Sequence, residues 1–122
     1  MRILVAEDEE SVSGLLRVLL AQFNPVVVAD GAQAVEAARR ERFDFILLDL
    51  MMPVMGGDDA AVLIRAADAD VPIAFFTGYG DEARRRAGVL AVRPVAVWVK
   101  PNDLGEMVDA IAARALEASH VS

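Results

Sequence analysis

Polar and charged side chains stand at the ends of four short apolar runs in this chain. They are, in chain order, Glu7, Asp8, Asp49, Thr77 and Lys100. Short apolar runs bounded by turn residues are typical of strands buried on both faces of a parallel sheet. Ligands bind in the crevice beyond the carboxyl ends of such strands. We therefore expect three carboxylates, a hydroxyl and an ammonium group to share one edge of a sheet.

These groups together predict phosphoryl chemistry with a metal ion. Three crowded carboxylates repel one another unless a proton or a cation neutralises them, and Mg²⁺ suits such a site because it also bridges to phosphate oxygens. Lys100 can pair with a carboxylate or a phosphate, and Thr77 offers a hydroxyl donor. A carboxylate nucleophile, a metal and a lysine are the parts of aspartyl-phosphate chemistry. An ordinary salt bridge accounts for any one of these residues, but not for all of them together.

The elements that must position these groups alternate along the chain. We predict strands near residues 2–6, 25–29, 44–48, 72–76 and 95–99. We predict helices near residues 9–22, 31–41, 57–68, 81–89 and 103–117. This alternation is typical of repeated βαβ units, so the predicted fold class is α/β with a doubly wound parallel sheet. Asp30 is a predicted N-cap of the second helix, and Arg84, Arg85 and Arg86 are interpreted as a solvated helix face.

Composition favours a single cytoplasmic domain. The 122 residues are 56% hydrophobic and 25% charged, which is typical of one globular unit over residues 1–122. No apolar run approaches the roughly 18 residues that a membrane span needs, and the first strand begins where a signal peptide would otherwise stand. Cysteine is absent, which excludes disulfides and thiolate chemistry. The net charge of −7 argues against direct binding of nucleic acid.

Four segments of the chain resemble the motifs of one protein family. They are Val5-Ala6-Glu7-Asp8-Glu9, Asp49 to Gly57, Phe76-Thr77-Gly78 and Val99-Lys100-Pro101. In this order they are similar to the receiver domains of two-component response regulators, and the match covers the whole chain. The resemblance implies a CheY-like, flavodoxin-like (βα)5 fold with a five-stranded parallel sheet of order 2-1-3-4-5. It also implies two helices on one face of the sheet and three on the other.

The resemblance implies a role for each group at the sheet edge. Asp49 accepts a phosphoryl group from a phosphohistidine of a histidine kinase or of a histidine phosphotransfer protein. Thr77 and Lys100 contact that phosphoryl group, and Pro101 follows a cis peptide bond. The phosphorylated domain then contacts a downstream protein target, so its catalysis is limited to its own phosphorylation and dephosphorylation.

The resemblance also implies the metal ligands. Glu7, Asp8 and Asp49 hold Mg²⁺ together with the backbone carbonyl of Met51. An enzymatic alternative is a phosphatase that forms an aspartyl-phosphate intermediate. Such enzymes place a second aspartate two residues after the nucleophile, where this chain has Met51. A nucleotide-binding domain is disfavoured, because no glycine-rich loop follows the first strand.

Two departures from the family pattern affect the expected switch. The family usually has an aromatic residue three positions before the lysine, where this chain has Val97. Side chains alternate along a strand, so Trp98 should point to the opposite face and pack beneath the last helix. Asn102 replaces the usual apolar residue after Lys-Pro. The usual coupling of the threonine to an aromatic ring therefore needs a replacement.

The loop after the fourth strand offers that replacement. Its segment Phe75 to Gly80 is similar to the Phe-Ala-Thr-Gly motif of a subgroup of single-domain receivers in alphaproteobacterial stress signalling, with Phe76 in place of alanine. Tyr79 lies between two glycines, whose backbone rearranges easily. We predict that Tyr79 changes its exposure when the domain is phosphorylated.

The first helix offers a docking surface for the phosphodonor protein. Val18 lies off the apolar stripe of this helix and beside small residues. Together with the family's use of the first helix, this predicts a kinase-docking patch. The patch consists of Ser11, Gly14, Leu15 and Val18.

Three contexts are compatible with these observations. Because the chain ends just after the last predicted helix, we expect a single-domain response regulator without an output domain. The alternatives are a receiver fragment of a hybrid histidine kinase and an interaction module that does not depend on phosphorylation. The intact Asp49, Thr77 and Lys100 argue against the last alternative, whereas Val97 favours it.

Overall fold

Five parallel strands form one sheet in the predicted order β2-β1-β3-β4-β5. The computed structural model describes the backbone of residues 1–121 and the side chains of residues 1–118. The strands are β1 Ile3–Ala6, β2 Val26–Val28, β3 Phe45–Leu48, β4 Ile73–Thr77 and β5 Ala96–Val99. In register, Ala6 pairs with Leu48 and Thr77 pairs with Val99. The residues that follow β1, β3 and β5 therefore meet at one edge, as predicted.

The helices connect the strands and run back along the sheet. They are α1 Glu10–Leu19, α2 Gly31–Arg40, α3 Gly57–Ala67, α4 Gly80–Arg85, α5 Ala87–Ala91 and α6 Leu104–Val121. The predicted N-cap is confirmed, because Asp30 Oδ1 accepts the Gln33 backbone N–H at 2.8 Å. No helix in the described part of the chain combines the length and apolar character needed to cross a membrane.

The prediction of one helix over residues 81–89 is wrong. The structure has α4 and α5 instead, with the extended residue Arg86 between them at φ −72° and ψ 131°. The Arg86 guanidinium pairs with Asp58 of α3 at 3.1 Å and with Glu82 at 2.6 Å, and these contacts stabilise the break. The prediction that the three arginines form a solvated helix face is therefore correct only in part. Arg86 is paired, and Arg84 donates a hydrogen bond to the Val97 carbonyl at 3.2 Å.

Two apolar layers cover the two faces of the sheet. One layer joins alternate strand residues to α1 and α6 through Leu16, Leu20, Met107 and Ile111. The other joins the sheet to α2, α3, α4 and α5. The family resemblance implied three helices on this face, whereas the structure has four. Trp98 packs in the α1 and α6 layer, stacked on Phe45 with ring centroids 6.4 Å apart, as predicted.

Gly57 fixes the start of α3 against the end of β3. A Cβ atom at this position would lie 1.8 Å from the Asp49 carbonyl oxygen, which is far inside van der Waals contact. The Gly57 N–H also donates to the Leu50 carbonyl at 2.8 Å. The absence of a side chain at Gly57 therefore lets α3 approach the backbone of Asp49.

We predict that Gly57→Ala lowers the free energy of unfolding by about 2–4 kcal/mol, because the new methyl group must displace the Asp49 backbone. Urea unfolding followed by the fluorescence of Trp98, the single tryptophan, measures the change. Gly14→Ala is the matched control: a Cβ there meets nothing within 4 Å, so the exchange should stabilise α1 by about 0.5–1 kcal/mol. Equal stability of the two variants would contradict the prediction.

Candidate metal and active site

Three carboxylates lie together beyond the ends of β1 and β3. Glu7, Asp8 and Asp49 each offer an oxygen within 4.8 Å of the other two. Backbone hydrogen bonds that extend the strand ladders hold the first and last of them: the Glu7 N–H donates to Val28 at 3.0 Å and the Asp49 N–H to Ala6 at 3.0 Å. Glu7 and Asp49 are buried, whereas Asp8 is exposed. Such a group of hard oxygen ligands could hold a divalent cation.

Lys100 brings the end of β5 to the same cluster. Its Nζ lies 2.5 Å from Glu7 Oε1 and 3.0 Å from Asp49 Oδ2. The same atom lies 5.7 Å from the centroid of the Phe76 ring, within the range of a cation–π contact. Sequence reasoning missed this contact. The available signal was the position of Phe76 directly before Thr77, on the strand beside the one that leads to Lys100.

The single positive charge of Lys100 does not balance the three carboxylates of the cluster. Burial raises the pKa of Glu7 from its ordinary value of 4.5 to about 7, and the Asp49 charge adds to the rise, although the Lys100 and Glu9 hydrogen bonds oppose it. Burial works against the charged form of Lys100, but its hydrogen bonds to Glu7 and Asp49 outweigh that effect and raise the Lys100 pKa. Lys100 thus stays charged, and Glu7 is close to half protonated at neutral pH without a metal.

Asp49 is the carboxylate best placed to react. Its Oδ1 accepts the Leu50 N–H at 2.7 Å and its Oδ2 accepts from Lys100, so both oxygens have fixed positions. Only 7% of its surface is exposed, and it borders an opening at the sheet edge. This opening is lined by Asp8, Glu9, Asp49, Met51, Gly78, Tyr79 and Lys100.

Thr77 is fully buried at the end of β4, beside the lysine. The Lys100 backbone N–H donates to the Thr77 carbonyl at 2.9 Å. The Thr77 hydroxyl oxygen accepts the Tyr79 N–H at 3.1 Å, so this side chain contacts its own loop. The structure therefore brings Thr77 to the predicted edge and connects it to the loop that contains Tyr79.

Of the predicted switch residues, Tyr79 lines the opening. Tyr79 is 56% exposed, and Val97 is half-buried on the face opposite Trp98. The Lys100–Pro101 peptide bond is cis, as the resemblance implied. Asn102 is exposed in the turn that precedes α6.

The residues of the predicted docking patch lie on the exposed surface of α1. All four of its residues are exposed, Leu15 at 45% and Val18 at 73%. The patch therefore offers apolar area to a partner, and its use as a docking surface remains a prediction. Its members are Ser11, Gly14, Leu15 and Val18.

Known proteins with similar sequences are response regulators. MtrA of Mycolicibacterium smegmatis, a DNA-binding response regulator, is 43% identical over 82 residues, which are 66% of this chain and 36% of MtrA. PrrA of Mycobacterium tuberculosis, a transcriptional regulatory protein, is 35% identical over 109 residues, which are 88% of this chain and 46% of PrrA. The chain thus spans about a third to a half of the length of these relatives.

Solved structures with this fold are receiver domains. The receiver domain of the Pseudomonas aeruginosa sensor histidine kinase PA1611, solved with magnesium in its active site cleft, is 30% identical with a TM-score of 0.77, covering 89% of this chain and 94% of that one. Thermotoga maritima TrrA, solved with Mg²⁺ and BeF, is 25% identical with a TM-score of 0.79, covering 92% and 96%. A family model described as the response regulator receiver domain matches residues 3–112. The chain belongs to the response regulator receiver domain family of two-component signalling.

Proposed function

We propose that this domain accepts a phosphoryl group on Asp49 and changes its protein contacts as a result. The donor is a phosphohistidine of a histidine kinase or of a histidine phosphotransfer protein. The observation that carries the proposal is the fixed position of Asp49 Oδ2, 3.0 Å from Lys100 Nζ and within the carboxylate cluster. An Asp49 oxygen attacks phosphorus, the N–P bond of the phosphohistidine breaks, and the imidazole leaves with that electron pair.

We assign the metal site to Glu7, Asp8, Asp49 and the backbone carbonyl of Met51, with Mg²⁺ as the ion. The excess of carboxylate charge supports this assignment, because a divalent cation supplies the charge that Lys100 alone cannot. Mg²⁺ in the PA1611 and TrrA structures gives further support. When bound, Mg²⁺ neutralises charge on the transferring phosphoryl group.

Lys100 and Thr77 would respond to the phosphorylated state. The phosphoryl group adds roughly −1.5 to −2 charges beside Lys100, which now divides its hydrogen bonds between Glu7 and Asp49. In our proposal Lys100 moves toward the phosphoryl oxygens. The Thr77 hydroxyl donates to the same group and shifts its bond with the Tyr79 N–H.

We propose that the signal leaves the site through Tyr79. Val97 cannot swing as an aromatic ring would, because it is small and β-branched. The Tyr79 loop connects Thr77 directly to α4, which begins at Gly80. A change of this loop alters the surface formed by α4, β5 and α6, where a downstream protein would bind.

The similarity to the PA1611 receiver domain supports a second candidate function, that of a receiver within a sensor histidine kinase. PA1611 is a sensor histidine kinase, and its receiver domain is 30% identical to this chain. A receiver within such a kinase would accept phosphate on the same Asp49 and pass it to another protein, instead of binding a target. The two contexts differ in the fate of the phosphoryl group, which transfer assays with a histidine phosphotransfer protein distinguish.

We predict that Asp49→Asn abolishes phosphorylation by a small phosphodonor in the presence of Mg²⁺. Intact mass measurement should show one added phosphoryl group on the wild type and at least a hundredfold less on the variant, because the amide is a poor nucleophile. Asp59→Asn, an exposed carboxylate in the first turn of α3, is the matched control and should react normally. Undiminished phosphorylation of Asp49→Asn would sink the assignment.

Mg²⁺ binding should depend on pH through Glu7. Because the Glu7 pKa is about 7 without metal, and a metal ligand must lose its proton, the Mg²⁺ dissociation constant should be about tenfold higher at pH 6 than at pH 8. Calorimetric titration at both pH values measures this. Glu7→Gln should remove the pH dependence, whereas Asp8→Asn should weaken binding and keep the dependence.

The stability of the metal-free protein should also depend on the raised pKa of Glu7. Folded Glu7 holds its proton more tightly than unfolded Glu7, so the free energy of unfolding should fall as pH rises from about 4.5 to about 7. Glu7→Gln should flatten that slope. A stability that instead rises across this interval in wild type and variant alike would contradict the raised pKa.

Val18→Glu and Tyr79→Ala should impair different steps. Val18→Glu should slow phosphotransfer from the cognate kinase about tenfold and leave phosphorylation by a small donor unchanged, since it alters only the docking patch. Tyr79→Ala keeps the backbone N–H, so both phosphorylation rates should persist while phosphate-dependent binding of the target weakens about tenfold. Unchanged NMR signals around Tyr79 on phosphorylation would contradict the proposed switch, and equal slowing of both donors in Val18→Glu would contradict the docking patch.

A further inference from the structure

A partly enclosed cavity lies between α2 and α3, at the end of the sheet opposite Asp49. Its volume is about 130 Å³. Its location follows from its lining, which includes residues at the start of β3 and just before β4. Five buried residues of the apolar core form part of the wall, and Leu63 stands at the mouth with 43% exposure. The buried wall residues are Val35, Phe43, Ile46, Ile64 and Val71.

The size of the cavity limits its occupant. An engineered protein cavity of about 150 Å³ lined by aliphatic and aromatic residues binds benzene, so about 130 Å³ admits one aromatic ring or a branched aliphatic group. The room exists because α2 and α3 contribute the small residues Ala38 and Ala67 to the walls. Drug-sized ligands occupy pockets of roughly 300–1,000 Å³, and a long peptide would find only one anchor position here.

The charged residues at the mouth indicate which polar group a ligand should carry. Arg39 and Arg42 line the cavity and are exposed. Among the described residues, neither side chain makes an ion pair or a hydrogen bond. The carboxylate of Glu41 is already paired with Arg2 at 2.8 Å.

The other carboxylate at the mouth is engaged through one of its two oxygens. Asp68 Oδ1 accepts the backbone N–H groups of Asp70 at 3.0 Å and Val71 at 3.1 Å. Among the described residues Asp68 Oδ2 accepts no hydrogen bond, so two unpaired guanidinium groups and one free carboxylate oxygen line the mouth. An anion fits this mouth better than a cation.

We propose that this cavity binds a small carboxylate that carries one aromatic ring or branched aliphatic group. The apolar group enters the cavity and leaves water, which supplies most of the binding energy. The carboxylate accepts hydrogen bonds from Arg39 or Arg42, whose planar guanidinium groups match its geometry. This site is separate from the Asp49 cluster, so its occupation does not require phosphorylation.

Titration of the full chain with phenylacetate tests the proposal. Amide NMR signals of Phe43 and Leu63 should shift with a dissociation constant of about 1 mM, the affinity expected for a ligand of this size. Benzyl alcohol and phenethylammonium have the same ring without a negative charge and should bind at least about fivefold more weakly. Equal affinity for the three probes, or no shift of these signals, would overturn the proposal.

Matched variants separate the cavity from its surroundings. Ala67→Leu should block the mouth and abolish the shifts for every probe, whereas Ala66→Leu, on the same helix but outside the lining, should not. Replacing Arg39 and Arg42 together by Gln should weaken phenylacetate about fivefold and leave benzyl alcohol unchanged. Arg40→Gln, outside the lining, should have no effect. Shifts that persist in Ala67→Leu would locate the binding site elsewhere and overturn the proposal. If Ala67→Leu does not fold, an unchanged phenylacetate affinity in the Arg39 and Arg42 double variant would overturn it instead.

Discussion

The arrangement of the site depends on the ion pairs that the ammonium group of Lys100 makes. It lies between Glu7 and Asp49 at 2.5 and 3.0 Å, and so joins the ends of β1, β3 and β5. Without it, two buried carboxylates would face each other with no opposing charge, which is costly in a low dielectric. One ammonium group does not balance three carboxylates, and burial, with the Asp49 charge adding to it, raises the pKa of Glu7 to about 7. The site is therefore prepared for an additional cation before any phosphoryl group arrives.

Most of this arrangement could be predicted from the sequence, because it depends on local patterns. Short apolar runs located the strands, and the polar residue after each run located the edge of the sheet. The strand order and the cis bond before Pro101 came from the family resemblance and not from the patterns themselves. The contact of Lys100 with Phe76 was missed, although Phe76 stands directly before Thr77, because it depends on the relative positions of two neighbouring strands.

The break at Arg86 was missed for a similar physical reason. Helical periodicity reports on neighbours three and four residues apart, whereas Arg86 pairs with Asp58, 28 residues away. The result is two helices of six and five residues. Helices this short have little intrinsic stability and depend on tertiary contacts, such as those of the buried Ala83 and Val89. The segment next to Tyr79 is therefore held mainly by contacts that a neighbouring change can alter.

The direction of the helices gives the domain an electrical polarity. In this topology the helix N-termini lie at the site edge, where the helix dipole favours acidic residues, and the C-termini lie at the far edge, where it favours basic ones. In the long helices, the acidic first-turn residues are Glu10, Asp58, Asp59 and Glu106, and the basic last-turn residues are Arg17, Arg39, Arg40 and Arg65. A positively charged partner surface would be turned toward the site edge before contact. The rate of such an encounter would fall as ionic strength rises, because salt screens this field within about 10 Å at 0.1 M.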